Sequence, residues 1–238
     1  MNGYKQIIEV DVHDVDYNGV CRASSLLRYI QSTAQLQLTA GGMSYDELRA
    51  KNRAFILSKI RAEFYYPIRS YDRLEAYSFP CESHGFSFIR CYALIRDGVT
   101  VGRAISVWAL IDTETRSLVK VGDFDLRLPT YPPLDIALGH LRMPSTIKKT
   151  GEYTVCYADL DQNRHINNTR YADVFANFLD MDGKRIEALT VSYVNEARLG
   201  DKLEVYTDEV DGTYYLRTVR PDGKINAEAE ITLADIEK

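Results

Sequence analysis

"DVDYNGV" (residues 14–20) and "DLDQNRH" (residues 159–165) are one phrase written twice. Asp14 matches Asp159, Asp16 matches Asp161 and Asn18 matches Asn163. The pair has company. "RSYDRLEAY" at 69–77 keeps Arg, Asp, Leu, Glu and Tyr in register with "RLGDKLEVY" at 198–206. "RDGVTV" at 96–101 resembles "PDGKIN" at 221–226, and each carries an Asp-Gly hairpin signal. Three matches in the same order mark a duplicated structural unit, and two copies make a tandem pair rather than a solenoid. The offset between copies falls from 145 to 129, so the first copy holds 16 extra residues between the first two matches. "GGMSYDELRAKN" (41–52) fits them: a glycine stop, then Ser44-x-x-Glu47 as a capping box opening an additional short helix.

Each copy follows the same plan. A strand ("KQIIEVDV", 5–12; "EYTVCYA", 152–158) leads through the Asp/Asn loop into an amphipathic helix. Leu26, Leu27, Ile30, Ala34 and Leu38 recur at helical spacing in the first copy, as do Tyr171, Val174, Phe175, Phe178 and Leu179 in the second. Four strands of period two follow. In the last, Ala227, Ala229, Ile231 and Leu233 alternate with Glu228, Glu230 and Thr232. One long helix against an antiparallel meander, repeated, is an α+β fold. "FDLRLPTYPPLDIALGHLRMPSTIKKTG" (124–151) holds four of the seven prolines and reads as an extended crossing segment. The boundary falls near residue 140, giving an N-terminal domain over 1–139 and a C-terminal domain over 140–238.

Composition excludes several function classes. A net charge of -5 argues against a general nucleic-acid or anionic-membrane binder. No apolar run approaches the roughly 20 residues that cross a bilayer, and "MNGYKQIIEV" lacks the pattern of a signal peptide. Cys21, Cys81, Cys91 and Cys156 have no CxxC spacing, which suits a reduced cytoplasmic protein. There is no cluster of Cys and His at zinc spacing, no Gly-rich phosphate loop and no G-x-S-x-G elbow, so neither metal nor cofactor is expected.

Where the copies differ, chemistry is the simplest reason. Val20 of the first copy becomes His165 in the second, and Pro67 becomes Glu196. Asp161, Asn163 and His165 stand at i, i+2 and i+4; in an extended segment they share one face, about 7 Å apart. Asn167 or Asn168 is placed to cap the following helix, and N–H groups at its start offer a site for an anionic oxygen. Glu196 closes the strand pattern "ALTVSYVNE". A base or nucleophile, an imidazole, a positioning amide and an oxyanion site thus fall in one copy. The bland alternative is an Asx turn beside a structural histidine and a solvated glutamate. His13, His84 and His140 have no such company and read as structural or surface residues.

On these residues the sequence resembles the acyl-ACP thioesterases, the plant plastid enzymes and their bacterial relatives, over essentially the whole chain. "DLDQNRHINNTRY" (159–171) is similar to that family's Asp-x-Asn-x-His segment, and "YVNEARLGD" (193–201) to the segment bearing its glutamate. The resemblance implies a tandem double hotdog fold, an acyl-chain pocket in the N-terminal domain, and catalytic roles for Asp161, Asn163, His165 and Glu196. It implies hydrolysis of a fatty acyl thioester on acyl carrier protein, with release of free fatty acid. Many plant members carry a cysteine directly after the glutamate. Here Ala197 stands there, which removes a thiol nucleophile and leaves the role to Glu196. A hotdog acyl-CoA thioesterase is the nearest alternative, and a non-catalytic acyl-carrier or acyl-chain binding module is another. Internal duplication already supplies one pair of hotdog units, so monomer and homodimer both fit. Docking of an acidic carrier on a chain of net negative charge calls for local basic clusters: Arg49, Lys51 and Arg53 on the extra helix, or Lys148 and Lys149 at the domain boundary.

Overall fold

The computed structural model describes residues 3–236. The chain divides into two compact units that are not two contiguous runs of sequence. Unit 1 comprises Met1–Val10, Arg28–Tyr65 and Tyr71–Leu138; unit 2 comprises Asp11–Leu27, Tyr66–Ser70 and Gly139–Lys238.

In unit 1, strands β1 (Tyr4–Glu9), β2 (Arg53–Phe64), β3 (Arg73–Pro80), β4 (Phe88–Arg96) and β5 (Val99–Asp112) form an antiparallel sheet in the order β1-β3-β4-β5-β2, and β6 (Leu118–Val119) pairs with β5. In unit 2, β7 (Lys148–Thr154), β8 (Lys184–Tyr193), β9 (Lys202–Val210), β10 (Thr213–Val219) and β11 (Ile225–Asp235) are also antiparallel, in the order β7-β9-β10-β11-β8. The two orders are the same once each copy's strands are numbered from its own start. The duplication seen in the sequence is a duplication of topology.

Local chemistry explains the elements. Helix α1 (Ala23–Ala40) buries Leu26, Leu27, Ile30 and Ala34 as its period requires, with Leu38 half-buried near its end. It stops where Gly42 takes a left-handed φ of +71°. Helix α2 (Tyr45–Ala50) opens with the expected capping box: Glu47 N donates to Ser44 Oγ at 3.3 Å, and Ser44 N donates to Glu47 Oε2 at 2.7 Å. The β4–β5 hairpin turns on Asp97 and Gly98, both at positive φ, as a two-residue turn demands. The crossing segment is irregular and lays Tyr131, Leu134, Ile136 and Leu138 against Phe79, Cys81, Cys91 and Ile105.

Three expectations need correction. The second helix, α3, runs only over Tyr171–Ala176, after a 3-10 turn at Asn168–Arg170, and Phe178 and Leu179 lie beyond it. The last turn tightens although the apolar pattern continues, with Phe178 N donating to Phe175 O and Leu179 N to Ala176 O. The Asp180–Gly183 turn follows: Asp182 N donates to Asp180 Oδ1, and Gly183 sits at φ +64°. Phe178 instead packs over β7, where a Cβ on Gly151 would lie 2.8 Å from its ring. Arg53 is not on α2; it opens β2 and pairs with Asp112. Lys149 is neutralised by Glu152 at 2.9 Å and Glu204 at 2.8 Å, which removes it from a free basic cluster.

The Asp/Asn loop of the first copy is a structural fastener within unit 2. Asn18 Nδ2 donates to Met181 O at 2.7 Å and Lys184 O at 3.2 Å, while Gly183 N donates to Asn18 Oδ1 at 3.3 Å. Asn18→Ala removes three bonds to backbone groups, although Met181 O keeps Lys184 N as a donor. It is expected to lower stability by about 1–3 kcal/mol, read as a fall in the denaturant midpoint at unchanged slope.

Candidate active site

The loop between β7 and α3 is built around a buried carboxylate. Asp159 accepts from Tyr153 Oη at 2.9 Å on both oxygens and from Cys156 N at 2.8 Å, and Arg170 Nη2 lies 3.8 Å away. Burial, then the bond to this carboxylate, holds the Tyr153 phenol well above its usual range.

A tight turn follows. Asp161 N donates to His165 O at 3.0 Å, Arg164 N to Asp161 O at 3.0 Å, and Asn163 N to Asp161 Oδ1 at 2.7 Å. Arg164 takes φ +63°. Asp161, Asn163 and His165 therefore sit on a closed turn, not an extended face, because the Asp161 side chain satisfies the backbone two residues on. Asn163 Nδ2 also approaches Asp161 Oδ2, at 3.4 Å.

After the turn, the chain meets the loop that follows β8. Ile166 N donates to Ala197 O at 3.0 Å, and His165 bridges to Arg198. This contact delivers His165 Nε2 to 2.9 Å from Glu196 Oε2. Glu196 lies three residues beyond the end of β8, so it is a loop residue rather than a strand terminus. The His165 side chain is 22% exposed and that of Glu196 55%. The carboxylate thus faces water with an imidazole held at its side. Arg198 Nη2 lies 3.9 Å from Glu196 Oε2, and Arg220 Nη1 donates to the Glu196 carbonyl at 3.0 Å. Ala197 is fully buried.

Of the two cap candidates, Asn167 does the work: its Oδ1 accepts from Thr169 N at 2.9 Å and Thr169 Oγ1 at 2.8 Å. Arg170 N and Tyr171 N donate to Asn167 O and Thr169 O. These N–H groups are spent within the turn, so the anion site expected at the helix start is not formed by them. Among the described residues no group of three His, Cys, Asp or Glu is arranged to hold a metal ion, and no helix is long and apolar enough to cross a membrane.

Sequence reasoning missed two parts of this architecture. Asp159 was visible as a repeated residue, matched by Asp14, but its burial was not. Behind the Glu196 loop lies a second polar cluster, Tyr171, Asn195, Thr218 and Asn226. Tyr171, 3% exposed, has its phenol pushed up to about 12, chiefly by burial; the Asn226 hydrogen bond opposes the shift and the Glu196 charge adds to it.

The family model described as the acyl-ACP thioesterase N-terminal domain matches residues 1–126, and that of the C-terminal domain matches residues 144–235. The chain is 26% identical over 240 residues to oleoyl-acyl carrier protein thioesterase 1, chloroplastic, of Arabidopsis thaliana, covering 88% of this chain and 66% of that protein. It therefore spans just under two thirds of the length of that curated relative. A crystal structure of an acyl-ACP thioesterase from Bacteroides thetaiotaomicron superposes with a TM-score of 0.84 at 23% identity, covering 97% of each chain. The 12:0-ACP thioesterase from Umbellularia californica superposes with 0.83 at 17% identity, covering 99% of each. These likenesses fix the fold as the tandem hotdog type.

The loop's dependence on Asp159 is testable. Asp159→Ala leaves the Tyr153 hydroxyl and Cys156 N–H without their acceptor and is expected to destabilise the chain by about 1–3 kcal/mol. Tyr153→Phe, which removes one donor and leaves the rest, should cost less; equal denaturation midpoints for wild type and Asp159→Ala would contradict the anchoring role.

Proposed function

The chain belongs to the acyl-ACP thioesterase family, and from that premise we propose that it hydrolyses fatty acyl thioesters on acyl carrier protein, releasing free fatty acid and ending chain elongation. The observation that carries this reading is the His165–Glu196 pair at 2.9 Å, with a carboxylate open to water. A thioester carbonyl is electrophilic and a thiolate leaves readily, so the reaction needs an activated oxygen nucleophile and stabilisation of the oxyanion.

Glu196 acts as general base. It takes a proton from water as the water oxygen bonds to the carbonyl carbon and the C=O electron pair moves onto oxygen. Collapse of the tetrahedral species breaks the C–S bond, and the proton held by Glu196 passes to the departing carrier thiolate. His165 orients the carboxylate and manages its proton. Asn163 holds the carbonyl oxygen or the water, and Asp161 fixes the turn that presents Asn163. Direct attack by Glu196 would instead make a mixed anhydride, a high-energy species that water attack avoids. Four free thiols, three of them buried, suit the reducing cytoplasm in which we place the protein.

Thiol release from acyl-ACP and from acyl-CoA of the same chain length tests activity and carrier together; equal kcat/KM on both would remove the carrier protein from the proposal. Glu196→Ala and His165→Ala are each expected to lower kcat by about 10²–10⁴-fold with an unchanged circular dichroism spectrum, and near-normal turnover in either would sink the assignment. Single-turnover hydrolysis in oxygen-18 water separates the two routes. General-base catalysis labels only the fatty acid, whereas label in the Glu196 carboxylate would establish direct attack.

A further inference from the structure

We infer that Asn226 is a positioning residue for Glu196, the centre of a buried polar brace that sets the base against His165. This rests on the proposed thioesterase reading for its catalytic consequence, but not for its geometry. Asn226 is 0% exposed, and its side chain has three partners. Nδ2 donates to Tyr171 Oη at 2.8 Å and to the Asn195 carbonyl at 2.5 Å, and Oδ1 accepts from Thr218 Oγ1 at 2.8 Å. Its main-chain carbonyl accepts from Val194 N at 2.9 Å and Asn195 N at 3.0 Å. The residue before Glu196 is thus gripped by both its N–H and its C=O. Tyr171 carries the brace to the helix that follows the His165 turn, so one amide ties together the segments bearing the two members of the pair.

A bulge places this amide. β10 and β11 pair Thr218 with Ala227 and then Val219 with Ile225, leaving Asn226 as the extra residue. The first copy has the same bulge: Leu94 pairs with Gly102, Ile95 pairs with Thr100, and Val101 is extra. The backbone bond is also the same, Tyr65 N to Val101 O at 2.9 Å against Val194 N to Asn226 O at 2.9 Å. Only the side chains differ. Where the second copy has Asn226, Thr218 and Tyr171, the first has Val101, Leu94 and Leu26, all buried and apolar. Leu94, Val101 and Leu26 show that the repeated backbone folds without a polar brace. A buried polar cluster costs stability unless every member is bonded, so its presence solely in the copy with His165 and Glu196 points to the site rather than to the fold.

The test is Asn226→Val, the residue of the first copy, in the full chain. It is expected to lower kcat on acyl-ACP by about 100-fold, as a misplaced catalytic group does, with KM changed less than threefold. It should also move the imidazole resonances of His165, one of only four histidines, towards their positions in Glu196→Ala, leaving the other three in place. Tyr171→Phe keeps the ring and removes one hydroxyl, so it should give the same signature at about tenfold and serves if Asn226→Val does not fold. A folded variant with unmoved His165 resonances, or one that raises KM at unchanged kcat, overturns the inference. Wild-type protein inactive on every acyl thioester would fail the functional reading alone, because the resonance shift does not depend on turnover.

Discussion

One backbone hydrogen bond organises this molecule, and it is made twice. Cys21 N donates to Ile68 O at 2.7 Å in the first copy, and Ile166 N donates to Ala197 O at 3.0 Å in the second. Each joins the residue after a tight Asp/Asn turn to a loop far along the chain. Each therefore brings position 20 towards 67, or 165 towards 196. Such a bond contributes only about 1 kcal/mol net, too little to hold the His165 and Glu196 side chains in register unaided. The second copy adds what the bond lacks: Asp159 anchoring the turn from beneath, Asn226 gripping the opposing loop, and Arg220 holding the Glu196 carbonyl.

Three bonds of the turn itself are duplicated. Asp16 N to Val20 O, Gly19 N to Asp16 O and Asn18 N to Asp16 Oδ1 recur as Asp161 N to His165 O, Arg164 N to Asp161 O and Asn163 N to Asp161 Oδ1. The reading of D-x-D-x-N as an Asx turn and its reading as part of a site are therefore not rivals. The aspartate makes the turn in both copies, and what the turn presents differs. Asn18 is turned to the backbone of Met181 and Lys184; Asn163 is exposed, with its side-chain amide 3.4 Å from Asp161 Oδ2. Gly19 occupies the left-handed position at φ +70° where Arg164 sits at +63°. A side chain there costs about 1 kcal/mol or more against glycine, and the second copy tolerates it at the rim of the site.

Legibility followed the range of the interactions. Turns, the capping box of α2 and the period of β11 are local, so residue types announce them. That the two copies share one topology followed from the repeated phrases, which a single domain would not have offered. A simple four-strand meander did not hold: β3, β4 and β5 form one, whereas β2 pairs with β5 instead of β3. The length of α3 departs from the sequence pattern because Phe178 and Leu179 continue a helical spacing beyond Ala176, where the helix ends. His165 and Glu196 stood out because an ionisable group replaced an apolar one or a proline. Asn226 replaced Val101 in the same way, within a matched stretch, and still passed as a hairpin flank. Its meaning depends on a bulge that shifts the strand register by one residue, and a bulge has no residue signature beyond the strand pattern it interrupts.

These constraints bear on why one copy carries a His–Glu pair where the other has Val20 and Pro67. Grafting His and Glu at positions 20 and 67 would recreate the two side chains on the same backbone bridge. It would not recreate their supports, since Leu26, Leu94 and Val101 offer no hydrogen-bond partner to a loop that must hold a carboxylate still. A half-satisfied polar cluster is worse than an apolar one. Val101, Leu94 and Leu26 on one side and Asn226, Thr218 and Tyr171 on the other are thus two fillings of one repeated backbone, and only the polar filling gives the residue before Glu196 a side-chain partner.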